Sequence, residues 1–235
     1  MCYNLDVMED LIIIIAQFIA ATVLLSFHEF AHAFAAYKCG DPTAKYAGRM
    51  TLNPTKHFDP LGILMFALAG FGWAKPVPIN PYNFDNFKKG SFWTSAAGVL
   101  MNYCMAFVFY PIFLLVMRYV RPFFFETYME IFLFALFYGL FSMSLSFCVF
   151  NLLPLHPLDG FRIVEAVNTK RGKVYRFLRD YGHYILLGLI VLHYLANRFP
   201  VLATIDILGY VLSFAINFFG RPITLFWNWI FSIIH

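Results

Sequence analysis

The chain has 235 residues, of which 61% are hydrophobic, 20% aromatic and only 13% charged. A soluble domain carries about 45–50% apolar and about 25% charged residues; with a mean hydropathy of +0.68, this composition excludes that class and places the chain in a membrane. The net charge is a modest +4, and no basic stripe with interleaved aromatics lies on a polar segment, so nucleic acid is not an expected partner.

Taken in order, the hydrophobic runs predict an all-α polytopic membrane protein with about six transmembrane helices. A re-entrant or interfacial segment and short extended strips near the cytoplasmic face are expected in addition. The first ten residues carry Asp6, Glu9 and Asp10 and no Lys or Arg, unlike the basic start of a signal peptide, so the first apolar run is expected to be retained. Residues 11–36 form that first helix, closed by Gly40 and Pro42. A polar stretch follows, with weak β character at 47–52. Residues 61–74 are apolar but too short for a full span, which suits a re-entrant piece. In Lys75-Pro-Val-Pro-Ile-Asn-Pro81, Pro76, Pro78 and Pro81 forbid helix and favour an extended strip. Such a strip is either a stiff connector or a template on which an extended peptide adds as a strand. Further spans are expected at 92–117, 128–150, 183–199 and 203–219. A short apolar segment, 222–235, completes the six.

Lys and Arg set the expected orientation. Residues 37–91 carry Lys38, Lys45, Arg49, Lys56, Lys75, Lys88 and Lys89, and 161–180 carry Arg162, Lys170, Arg171, Lys173, Arg176 and Arg179. The opposite loops hold Arg118, Arg121 and Arg198. The N-terminus is therefore expected outside and the two basic segments in the cytoplasm. Cys2, Cys39, Cys104 and Cys148 form no Cys-x-x-Cys pair and read as free thiols. The whole of 1–235 reads as one membrane-embedded domain, with a core at about 11–165 and C-terminal helices at about 183–235.

The chemistry concentrates in His28-Glu29-Phe30-Ala31-His32. Residues four apart lie one above the other on a helix, so His28 and His32 point the same way and can clamp one metal ion. Glu29 lies beside them as a candidate general base. A histidine pair with an acid in a membrane helix is costly and asks for a functional reason; the bland reading is a polar cluster satisfied between packed helices. A catalytic zinc site takes three protein ligands and leaves one position for water. The third ligand has to arrive at the same depth. Asp159, flanked by Pro154, Pro157 and Gly160 at the end of the third span, is the first candidate; His57 and His156 are its rivals. Asn102, inside the second span and four residues after Gly98, reads as interhelical glue or as a substrate contact.

These motifs, in order, resemble the site-2 proteases, a family of intramembrane zinc metalloproteases. The resemblance rests on His28-Glu29-Phe-Ala-His32, Asn53-Pro54-Thr-Lys-His57-Phe-Asp59-Pro60-Leu-Gly62, Lys75-Pro-Val-Pro-Ile-Asn-Pro81 and Asn151-Leu-Leu-Pro154-Leu-His-Pro157-Leu-Asp159-Gly160, across about residues 25–165. It implies one zinc ion held by His28, His32 and Asp159, with Glu29 activating water. It further implies that Asn151 helps to hold the substrate peptide or its developing oxyanion. Pro78 and Asn80 of the strip, with Asn102, are expected beside the substrate. The implied activity is that of a zinc metalloendopeptidase cutting in or near a transmembrane segment of a membrane protein, as in regulated intramembrane proteolysis. The motif spacing leaves no room for an inserted PDZ domain, as in the compact prokaryotic-type branch, which implies a prokaryotic cell membrane. The resemblance leaves a place for a regulatory membrane partner and says nothing of oligomeric state. Two departures stand out: Gly98 is followed by Val99 rather than Pro, and His156 lies between two prolines. A metal transporter or sensor would use the same ligands, but polar residues concentrate here around one site. An inactive scaffold would have no need of Glu29.

Overall fold

The computed structural model describes residues 3–69, 72–119, 127–168 and 170–233. Eight α-helices occur among them: α1 (Tyr3–Lys38), α2 (Thr43–Tyr46), α3 (Pro60–Ala69), α4 (Phe87–Tyr119), α5 (Tyr128–Leu152), α6 (Asp159–Val167), α7 (Lys173–Ala196) and α8 (Ile207–Ile233). Short 3₁₀ turns at 54–56, 81–83 and 200–205 link them. Arg121 and Cys2 lie outside the described residues, as do positions 70–71 of the expected re-entrant segment.

Three long helices, α1, α4 and α5, pack side by side and carry the core. Ala20 and Leu24 of α1 meet Met105 of α4 and Leu140 of α5, all buried, with Phe27, Phe109 and Phe137 around them. Small residues make this close packing possible, since apolar side chains gain nothing from leaving lipid and helices associate by fit. Polar side chains within α5 are satisfied by their own helix: Ser144 Oγ donates to Leu140 O, and Ser146 Oγ to Ser142 O. A second buried cluster, of Ala106, Tyr110, Leu145 and Ile223, seats α8 against α4 and α5.

Among the described residues four helical segments, not six, are long and apolar enough to cross a membrane: Val7–Lys38, Phe87–Tyr119, Tyr128–Leu152 and Ile207–Ile233. Two expectations fail for different reasons. The run 183–199 belongs to α7, whose first two turns carry Lys173, Arg176, Arg179 and Asp180, leaving too short an apolar length. The runs 203–219 and 222–235 are joined, because α8 passes through Pro222. The helix is packed there: Ile223 is buried, and Gly220 brings the backbone against Leu145 of α5. Neighbouring helices commonly sustain proline in membrane helices in this way.

The expected strips are also corrected, since no strand occurs among the described residues. Positions 47–52 are turns after α2, and 72–80 run without regular structure. The three prolines remove the donors a ladder needs, and the remaining N–H groups find side-chain and loop acceptors instead. Lys75 N donates to His57 O (2.8 Å), Val77 N to Glu29 Oε2 (2.8 Å) and Asn80 N to Asp41 Oδ2 (2.7 Å). Arg49 grips the carbonyls of Lys75 and Pro76 from outside. The strip is thus fastened along the C-terminal part of α1. The short apolar helix α3 is started by Asp59, whose Oδ1 accepts from Leu61 N and Gly62 N.

Candidate metal centre

Within α1, His28, Glu29 and His32 are all buried, and the four-residue spacing stacks the two imidazoles edge to face. The third member comes from α6. Asp159 is its first residue, where a carboxylate is favoured by the free N–H groups of the helix start. Gly160 makes that start possible: a Cβ there would overlap the carbonyl of Leu152, so only glycine lets α6 turn back directly against the end of α5.

Three ligand atoms converge. His28 Nε2 lies 2.9 Å from His32 Nε2, and Asp159 Oδ2 lies 3.3 Å from the first and 3.1 Å from the second. A tetrahedral zinc ion with bonds of about 2.0–2.1 Å separates its ligand atoms by about 3.3 Å, so the triangle has the dimensions of three corners of such a site. Asp159 Oδ2 is buried and makes no hydrogen bond. An orphaned carboxylate oxygen facing two imidazole nitrogens suits a shared cation better than an ion pair. Among the described residues, His28, His32 and Asp159 form a group able to hold a metal ion.

The rivals for third ligand are elsewhere. His57 is buried in the loop before α3, with Nε2 2.8 Å from Thr51 O. His156 stacks near Phe161 and His183. Glu29 Oε2 accepts the Val77 amide, which ties it to the proline strip. Asn151 sits in the last turn of α5 with Nδ2 donating to Phe147 O (3.0 Å); an amide carries a second N–H. Pro78 is half-buried in the strip. The Asn80 side chain caps the following turn, accepting from Tyr82 N. Asn102 is fully buried behind His28, 3.0 Å from its Nδ1.

Sequence reasoning missed two contributors, both on α4. The carbonyl of Thr94 lies 2.7 Å from His32 Nδ1; a backbone acceptor leaves no mark in residue type. Gly98 lies against both rings: a Cβ would overlap His32 Nε2 and fall 2.5 Å from His28 Cε1. Its spacing from Asn102 was visible, but not what it faced.

This is a buried two-histidine, one-carboxylate centre between the long apolar helices of a membrane protein, the layout of a metallopeptidase. Residues 16–193 match the model of peptidase family M50. A protein of Bacillus subtilis (strain 168) named "Putative zinc metalloprotease YwhC" is 39% identical over 180 residues, covering 74% of this chain and 80% of its own. Another, of Mycolicibacterium smegmatis, named "Putative zinc metalloprotease Rip2", is 27% identical over 212 residues, covering 87% and 77%. No solved structure matches the chain. The chain belongs to peptidase family M50, the site-2 proteases, and is an integral membrane zinc metallopeptidase.

Proposed function

We propose that the protein is an endopeptidase that hydrolyses a peptide bond in or near a transmembrane segment of another membrane protein, in regulated intramembrane proteolysis. The observation that carries this reading is the position of the ligand triangle, buried between α1, α4 and α6 beside an acid and a fastened proline-rich strip. His28, His32 and Asp159 hold zinc; when bound, it supplies an acidified water and polarises a carbonyl. Glu29 takes the proton of the attacking water and returns it to the leaving amine. The Val77 amide fixes the rotamer of that carboxylate. The second N–H of Asn151 donates to the developing oxyanion, a role worth about 3 kcal/mol by analogy with other oxyanion donors.

A transmembrane substrate has to unwind before its carbonyls are reachable, and an extended peptide then lies along 75–80. Beside that strip, Phe18, Leu25, Phe66, Trp73 and Phe147 line a cavity of about 160 Å³ between α1, α3 and α5, which suits an apolar side chain of the unwound segment. Pro78 borders this track, while Asn80 acts through the turn it caps.

Spans α1, α4 and α5 alternate in direction, so the end of α1 and the start of α6 share one membrane face. The basic segments 37–91 and 161–180 make that face cytoplasmic and put the N-terminus outside. With α7 not counted as a span, Arg198 moves to the same face, and the bias grows. The test is cleavage of a reporter with a transmembrane segment by the purified protein in detergent. Cleavage should vanish with a chelator and return with zinc, and Asp159→Asn should bind zinc poorly and stay inactive when zinc is restored. Cleavage unaffected by the chelator would overturn the proposal.

A further inference from the structure

One face of α4 carries Thr94, Gly98 and Asn102, four residues apart and therefore stacked. Each meets a histidine ligand. Thr94 offers its carbonyl to His32, Gly98 leaves room for both rings, and Asn102 reaches the far side of His28. We propose that this face sets the tautomer of both histidines, with Asn102 a positioning residue whose carbonyl Oδ1 accepts the Nδ1–H of His28.

This assignment rests on the metal centre above and on the hydrogen-bond capacity of an imidazole. An imidazole that binds a metal through Nε2 carries its proton on Nδ1, and that proton needs an acceptor. For His32 the acceptor is fixed, because Thr94 O can only accept, at 2.7 Å. His28 presents Nε2 to the same triangle, 3.3 Å from Asp159 Oδ2, so its Nδ1 must also be the protonated nitrogen. The group 3.0 Å from that Nδ1 is the amide of Asn102, with Nδ2 turned toward it. Asn102 is 0% exposed, and its Oδ1 has no partner. The two ends of a carboxamide fill the same volume. Turning the amide over gives the orphaned oxygen a donor and gives His28 the acceptor its ligand role requires. The two orientations are then two states of the site. With Nδ2 toward the ring, His28 is protonated on Nε2 and cannot ligate. With Oδ1 toward the ring, Nε2 is free for the ion.

The experiment measures zinc affinity in detergent by competition with a chelating dye, for the parent, Asn102→Leu and Asn102→Asp. Leucine keeps the bulk and removes the acceptor; aspartate keeps only acceptors. The proposal expects N102L to bind zinc about 10–100-fold more weakly, with N102D restoring most of that loss. Circular dichroism of the zinc-free proteins separates this from unfolding, and if N102L fails to fold, near-parent affinity in N102D still supports the proposal. Parent affinity in N102L overturns it, and so does an equal loss in N102D, which would mean that the amide N–H or mere shape is what counts. A parent that takes up no zinc overturns the metal centre itself, and this inference with it.

Discussion

His28 and His32 gain their meaning from what lies behind them. Two bare imidazoles in a membrane helix would be a liability, and here each has an assigned partner on α4 and a shared carboxylate on α6. The tightest point is Gly98. Gly98→Ala drives a methyl group into both rings, so the substitution should abolish zinc binding and destabilise the bundle by about 1–3 kcal/mol. Metal analysis and thermal unfolding of the purified variant check this; a zinc-loaded G98A protein would show that α4 stands further off than described. The His-Glu-x-x-His turn and Asp159 were legible in the sequence because ligands must be particular residue types at particular spacings. Thr94 was not, because it contributes its backbone. Asn102 was legible as a polar residue joining helices, but its type does not tell whether a buried amide faces a substrate or a histidine.

At the scale of elements, the strip at 72–80 decides how the acid is held. Val77 supplies the N–H that Glu29 accepts and packs inward with Ala33 and Ala44. Val77→Pro removes that donor while keeping an apolar residue in an already proline-rich strip. Cleavage should fall at least several-fold with zinc content unchanged, whereas loss of zinc would mean that the strip supports the ligands themselves. The far end of the strip hangs on Asp41, which is fully buried in the loop after α1 and accepts from Thr43, Asn80 and Asn83. Burial alone raises the Asp41 pKa, but these hydrogen bonds outweigh it and hold the carboxyl below its usual 3.8. A depressed folded value means that the stabilisation is complete above the ordinary carboxylate range and is lost as pH falls through the folded value. Amide-exchange protection at residues 75–83 should therefore hold above the ordinary carboxylate range and collapse on acidification below it, and Asp41→Asn should lower it already at neutral pH. Protection independent of pH and of this substitution would contradict the assignment. The prolines made the irregular backbone of the strip legible. They did not reveal its side-chain acceptors, Glu29 and Asp41, which lie 48 and 39 positions away in the chain.

For the whole molecule, composition fixed the class, since a chain this apolar has no soluble alternative. Helix count was harder to read. Hydropathy cannot tell a proline that ends a helix from one inside a continuous, packed helix, as Pro222 is, nor a span from the amphipathic α7. If the four long apolar helices cross the membrane with both basic segments on one face, as proposed, cysteines placed at 45–56 and at 170–173 should react with a membrane-impermeant thiol reagent only from the cytoplasmic side. Labelling of one set from each side would break the shared-face arrangement on which the centre depends. The central claim, that this buried triangle is a catalytic zinc site with Glu29 as its base, is tested most directly by Glu29→Gln. Zinc content and cleavage of a transmembrane reporter are measured on the same purified sample. E29Q should retain one zinc per chain, as in the parent, with cleavage reduced at least about 100-fold. Full cleavage by E29Q, or loss of its zinc, would contradict the claim.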